Sequence, residues 1–160
     1  MADSFTDGRT RVYWVTTIAN IAAPTTAELN AGINLSSLIT PDGVVGFEPE
    51  TADVDVSALD STFDTKGAGR ASFSGTMLRL KKQTGTDTTY NTLAQRDVAG
   101  YVVIRRDATA GTAWAASDKA EVYPSITGLG RNLPPEANSV HRWEMPVKIS
   151  STPNIFATVA

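Results

Sequence analysis

The chain has 160 residues, no cysteine, a single histidine, 41% hydrophobic and 19% charged residues and a formal net charge of −3. That length predicts one domain over 1–160, able to bury a core without disulfides or metals, and the missing cysteines exclude a disulfide framework or a thiolate site. The acidity argues against a tight grip on nucleic-acid phosphates, which needs clustered Lys and Arg. No apolar run approaches the ~18 residues of a membrane span, and the polar, acidic N-terminus does not read as a secretory signal.

Residues 1–10 are polar and predict a flexible N-terminal arm. Residues 11–18 (RVYWVTTI) are β-branched and aromatic, as in a strand. Pro24, Thr25 and Glu28 then announce a short helix over 25–32, because Thr25 and Glu28 fit a capping box. Gly32 stands where a helix end takes up positive φ. A short apolar piece over 35–40 ends at a Pro41-Asp42-Gly43 turn, followed by a strand over 44–48. Residues 52–59 alternate, with Ala52, Val54, Val56 and Ala58 on one face and Asp53, Asp55 and Ser57 on the other.

The segment 60–69 (DSTFDTKGAG) reads as a long, mobile loop. Residues 70–82 predict one long strand whose facing is reset at a bulge at Gly75. After a turn at 84–87, the spacing of Tyr90, Leu93 and Ala94 predicts a second helix over 88–98, ended by Gly100. Residues 101–106 (YVVIRR) are apolar on both faces until the end, as in a central strand or one covered by a neighbour. Within 115–127, Ala120, Val122 and Ile126 point inward, and Pro124 predicts an edge or a bulge. Residues 140–150 alternate again, and 152–160 leave the body as an apolar C-terminal tail. About seven or eight strands with one or two flanking helices predict a mainly β chain, an antiparallel sandwich or small barrel.

Little in this chain carries chemistry. His141 is the only base a catalytic triad could use, it starts an apolar strand face, and no nucleophile elbow accompanies it. One histidine without cysteine cannot fill a zinc site. Asp53, Asp55, Asp60 and Asp64 resemble the start of a calcium loop. However, Ala58 stands where that loop needs Gly, and Asp64 where it needs Glu. The pairs Lys81-Lys82 and Arg105-Arg106 read as solvated strand ends. Gly67-Ala68-Gly69 lacks the spacing of a phosphate loop. Trp14, Trp114 and Trp143 read as core or interface anchors. The expectation is a chain that is not an enzyme and takes no metal or cofactor.

The segments TAELNAGINLSSLITPDG (26–43), FDTKGAGRASFSGT (63–76), GYVVIRRD (100–107), SDKAEVYP (117–124) and RWEMPVKI (142–149) follow one another in an order that resembles the major tail protein, or tail tube protein, of long-tailed bacteriophages. The resemblance spans nearly the whole chain and lies in the succession of these segments. It implies an inner sheet that joins neighbours into a ring barrel, with six copies per ring and rings stacked into a tube that conducts DNA without binding it specifically. It further implies that the loop, about 59–70, and the arms, about 1–10 and 151–160, bridge neighbours, with Phe63, Lys66, Gly67, Gly69, Arg70, Tyr101, Ile155 and Phe156 at the interface. Implied partners are other copies of the chain and tape measure, tail terminator and baseplate proteins, with assembly in the host cytoplasm and residence in the virion tail. Two other readings stand beside it. One is a receptor- or carbohydrate-binding β-module of a virion; the other is the inner tube of a contractile tail or secretion apparatus. A small hydrolase is disfavoured because neither a triad nor a metal set is present.

Overall fold

The computed structural model describes residues 3–106 and 113–160. Met1 and Ala2 of the expected N-terminal arm, and Asp107 at the end of GYVVIRRD, lie outside the described residues. The elements in order are β1 (Arg11–Val15), α1 (Thr26–Asn30), β2 (Ile33–Asn34), β3 (Ile39–Val45), β4 (Glu50–Asp55), β5 (Lys66–Ser72), β6 (Met77–Lys81), α2 (Thr88–Leu93), β7 (Ala99–Arg105), β8 (Lys119–Thr127), β9 (Arg131–Asn132), β10 (Arg142–Ile149) and β11 (Asn154–Thr158). The protein is mainly β, and its large antiparallel sheet, in the order β2-β1-β7-β8-β10-β6-β3, curls into a half-barrel. β4 and β5 form a separate two-stranded sheet.

The curl depends on β10, which belongs to both halves. Residues 142–146 pair with β6, whereas 147–149 pair with β8. Inside the curl lies one core, built from Val12, Trp14, Leu78, Leu80, Val102, Ile104, Trp143 and Met145 among others, with Leu93 of α2 closing it. Alternate residues of β1, β7 and β8 point the other way, so Tyr13, Val15, Val103 and Val122 build a second core with Leu29, Trp114, Ala157 and Val159. β7 is therefore apolar on both faces because its own chain covers both. No neighbour is needed to explain it.

α1 forms as its capping box predicts. Thr25 Oγ1 accepts from the Glu28 amide at 3.2 Å, and the Glu28 carboxylate accepts from the Thr25 amide at 2.8 Å. Glu28 also accepts from the Ala19 amide at 2.9 Å, tying the helix to the chain before it. These backbone hydrogen bonds, with the Thr25 hydroxyl, hold the Glu28 carboxyl below its ordinary pKa. Gly32 is needed for a different reason from the one expected. Its φ is not positive; a β-carbon there would stand 2.8 Å from both the Trp14 carbonyl oxygen and a Val15 methyl.

Several boundaries differ from expectation. The Pro41-Asp42-Gly43 turn is instead an irregularity inside β3, where Ile39 faces Leu80 and Val44 faces Leu78. α2 is shorter than expected, capped by the Asp87 carboxylate on the Tyr90 amide, and Gly100 lies inside β7. Pro124 sits in a central strand. Its carbonyl accepts from Ser150 where partnership passes from β11 to β10, so the missing N–H falls at that junction. The expected long strand over 70–82 is two strands in two sheets, broken at Ser74-Gly75.

The expected C-terminal tail is not a free arm. β11 pairs with β8, Ala157 and Val159 are buried, and the last residue bonds the segment before α1 through Ala160 N–H to Pro24 O and Thr26 N–H to Ala160 O. Arg105 likewise does not end its strand in solvent. It is buried, ion-paired to Asp118 at 2.6 Å and set over the Trp114 ring at 4.9 Å. Asn30 fixes the same region, accepting from the Trp114 amide at 2.8 Å and donating to its carbonyl at 3.1 Å.

Candidate assembly surfaces

The ladder of β3 with β6 continues outward as the β4–β5 hairpin, and the two parts meet at a pair of glycines. Gly46 and Gly75 both have positive φ, 79° and 65°. A β-carbon on Gly46 would stand 2.7 Å from the Gly75 carbonyl carbon and from Ser74 O. Here the strands change direction, and the hairpin leaves the body as an arm. Every residue of β4 is exposed, so among the described residues the Asp/Val alternation that predicted one buried face has no core beneath it. Val54, Val56, Leu59 and Phe63 are all exposed, Leu59 and Phe63 at 106% and 76%. The segment expected as a loop over 60–69 is strand from Lys66 onward, and the connection is 56–65.

Lys66, Gly67, Gly69 and Arg70 all lie on β5 of this arm. Lys66 faces Asp55 and Gly67 faces Val54, while Gly69 and Arg70 sit at a register shift. Gly69 lets the strands close up, because a β-carbon there would meet Ala52 O at 2.8 Å. Among the described residues neither Lys66 nor Arg70 makes an ion pair.

Ile155 and Phe156 occupy the register shift of β11, between the pairs Asn154↔Val122 and Ala157↔Ala120. The Asn154 side chain accepts from the Phe156 amide at 2.9 Å, and both apolar side chains stay exposed. Ile155 lines a groove of about 560 Å³ between the base of the arm and the turn from β10 to β11. Phe73, Ala71 and Pro49 form one wall; Ile149, Pro153 and Ile155 form the other, with Lys148 also lining it. Tyr101 does not join this group. It is half-buried in β7 between Val15 and Pro124 and packs on the second core.

The site signals missed in sequence were Phe73 and Pro153 as groove walls, and Val54 and Val56 as exposed rather than inward. Alternation reports which residues share a face, not whether anything covers that face. The pair of glycines bracketing the segment was the available clue.

Elsewhere several titratable groups are engaged in structure. Glu144, buried on the outer side of β10, is bonded by Arg79 at 3.0 Å and by Arg131. Burial raises its pKa, but the two guanidinium groups outweigh it and hold the carboxyl below the ordinary value. Tyr123 is pushed well up by burial and by donating to Glu121 at 2.8 Å. His141 is exposed, and its carbonyl accepts from the Lys82 amide. Among the described residues no cluster of three or more His, Asp or Glu is placed to hold a metal ion, and no helix is long and apolar enough to cross a membrane.

The sequence model of the phage tail tube protein family matches residues 1–160. The chain belongs to that family. As a tail tube family member it is a structural component of a phage tail, and so of a virion. In fold, the tube protein is similar to a chain in the six-fold symmetrised cryo-EM structure of the anti-feeding prophage baseplate. The TM-score is 0.62 at 10% identity, over 98% of each chain. No curated protein matches it.

Proposed function

We propose that the chain assembles into hexameric rings that stack into the tail tube, the conduit through which DNA is ejected. Membership of the tail tube family supports this, and the projecting β4–β5 arm carries it: among the described residues no core covers the arm's strands, and no residue of them is buried. Ordering two strands outside the body costs conformational entropy that buried apolar area has to offset. On this arm the apolar area is still open to solvent, so a neighbour supplies the contact. Phe63, Lys66, Gly67, Gly69 and Arg70 on the arm, with Ile155 and Phe156 on β11, form the contact between copies; Tyr101 supports the β7 face behind it.

The net charge of −3 suits a wall past which phosphate slides without being held. Tape measure, tail terminator and baseplate proteins are the expected further partners, with assembly in the host cytoplasm, and the chain performs no catalysis. Negative-stain electron microscopy of the concentrated protein tests the reading. Rings or tubes with a central hole are expected. A monodisperse particle without rings, even after tail-completion partners are added, overturns it.

A further inference from the structure

From the arm and the groove taken together we infer that the tip of one copy's arm seats in the groove at the base of another copy's arm, with Phe63 as the anchor. The inference rests on the self-assembly reading above and names the seat within it.

The two halves are complementary. The tip presents Leu59 and Phe63, the most exposed large apolar side chains of the arm. The groove, about 560 Å³, is walled by Phe73, Ile149, Pro153 and Ile155 and has room for both. The charges also match. Asp60 and Asp64 flank the apolar tip, and Lys148 lines the groove; among the described residues none of the three makes an ion pair.

The occupant is a second copy because the chain cannot reach its own groove. β4 and β5 are paired along their length, and strands of this size hold the tip roughly 20 Å from the arm base that forms the groove wall. A knob and a hole at opposite ends of one arm can pair head to tail, which is a heterologous contact. Contacts paired in that way repeat from copy to copy, as rings and stacks require. Phe63 and Ile155, far apart in sequence, thus become two sides of one interface.

The absence of native cysteine makes the test clean. Thr62→Cys, beside the retained Phe63, and Thr152→Cys, at the groove, are exposed substitutions made in separately tagged copies. The two proteins are mixed unassembled, concentrated and mildly oxidised. A disulfide between the two tags is expected at about tenfold or more above the yield of Thr62→Cys with exposed Ser139→Cys, since docking raises the local thiol concentration. Phe63→Ser should remove the excess, and Lys148→Glu should weaken it until Asp60→Lys and Asp64→Lys restore it. Yields equal to the Ser139 control overturn the seat. Micrographs of the wild-type protein separate the two ideas: tubes without the disulfide sink the seat alone, and the disulfide without rings or tubes sinks the tube reading alone.

Discussion

Gly46 and Gly75 face each other where the β3–β6 ladder becomes the arm, both at positive φ, with no room for a β-carbon on Gly46 and open space around Gly75. The same residue type is thus required for two different reasons. Gly75→Ala should cost about 1 kcal/mol, the left-handed backbone penalty for an L-residue. Gly46→Ala adds a collision with backbone and should cost at least about twice as much. Urea denaturation of the two variants measures the difference, and equal losses would show that the arm relaxes freely at its base.

Glu144 joins Arg79 and Arg131 across three strands while itself buried. Glu144→Gln keeps the shape but removes the charge, and should cost about 1–2 kcal/mol, less than the loss of a fully buried pair because both arginines reach solvent. The pH dependence has a definite sign. The folded carboxyl lies below its ordinary value of about 4.3, so the unfolded chain takes up its proton first as pH falls. Its contribution is present above that value and lost below it. Melting temperatures between pH 6 and 3 should therefore fall more steeply for the wild type than for the variant.

Asn30 places two hydrogen bonds on the Trp114 backbone, joining α1 to the segment that precedes β8. Asn30→Ala leaves that backbone unpaired at a partly buried position and should cost about 1–3 kcal/mol. Thr25→Ala, which removes only the exposed cap, should cost about 1 kcal/mol. Thermal unfolding followed by tryptophan fluorescence ranks the two, and an inverted order would mean that the cap, not the Trp114 contact, holds α1 in place.

Amide exchange should divide the molecule sharply. The arm strands bury no apolar residue, so their amides should exchange through local opening, whereas those of β7 and β8 should open only with global unfolding. β11 should follow the slow group, because Ala157 and Val159 belong to the second core. Deleting residues 154–160 should accordingly lower the melting temperature by tens of degrees or prevent folding. A C-terminus that exchanges as fast as the arm would contradict its place in the core.

The local features were legible where they are made by neighbours in sequence. Thr25 and Glu28 cap α1 because three residues of spacing suffice to bring hydroxyl and carboxylate onto the free amides. The buried parity of Trp143, Met145 and Val147 also follows from period-two alternation in a strand. Composition, the lack of ligand sets and the succession of segments then pointed to a structural β protein of the tail tube family. What faces what was not legible. Alternation gave Val54 and Val56 the same signature as core strands, yet both are exposed and no layer of the described residues lies under them, while Val102 and Val103 are covered on opposite faces by two cores. The tail over 152–160 read as an arm because a partner strand more than 30 positions away, β8, is invisible to local pattern. Sequence alone determined local features such as the α1 cap and the period-two facing of β10. Only the tertiary structure decided which faces are covered, because burial depends on contacts between residues distant in the chain; so it alone showed that the arm beyond Gly46 and Gly75 stays exposed, while Ala157 and Val159 of the C-terminal strand are buried.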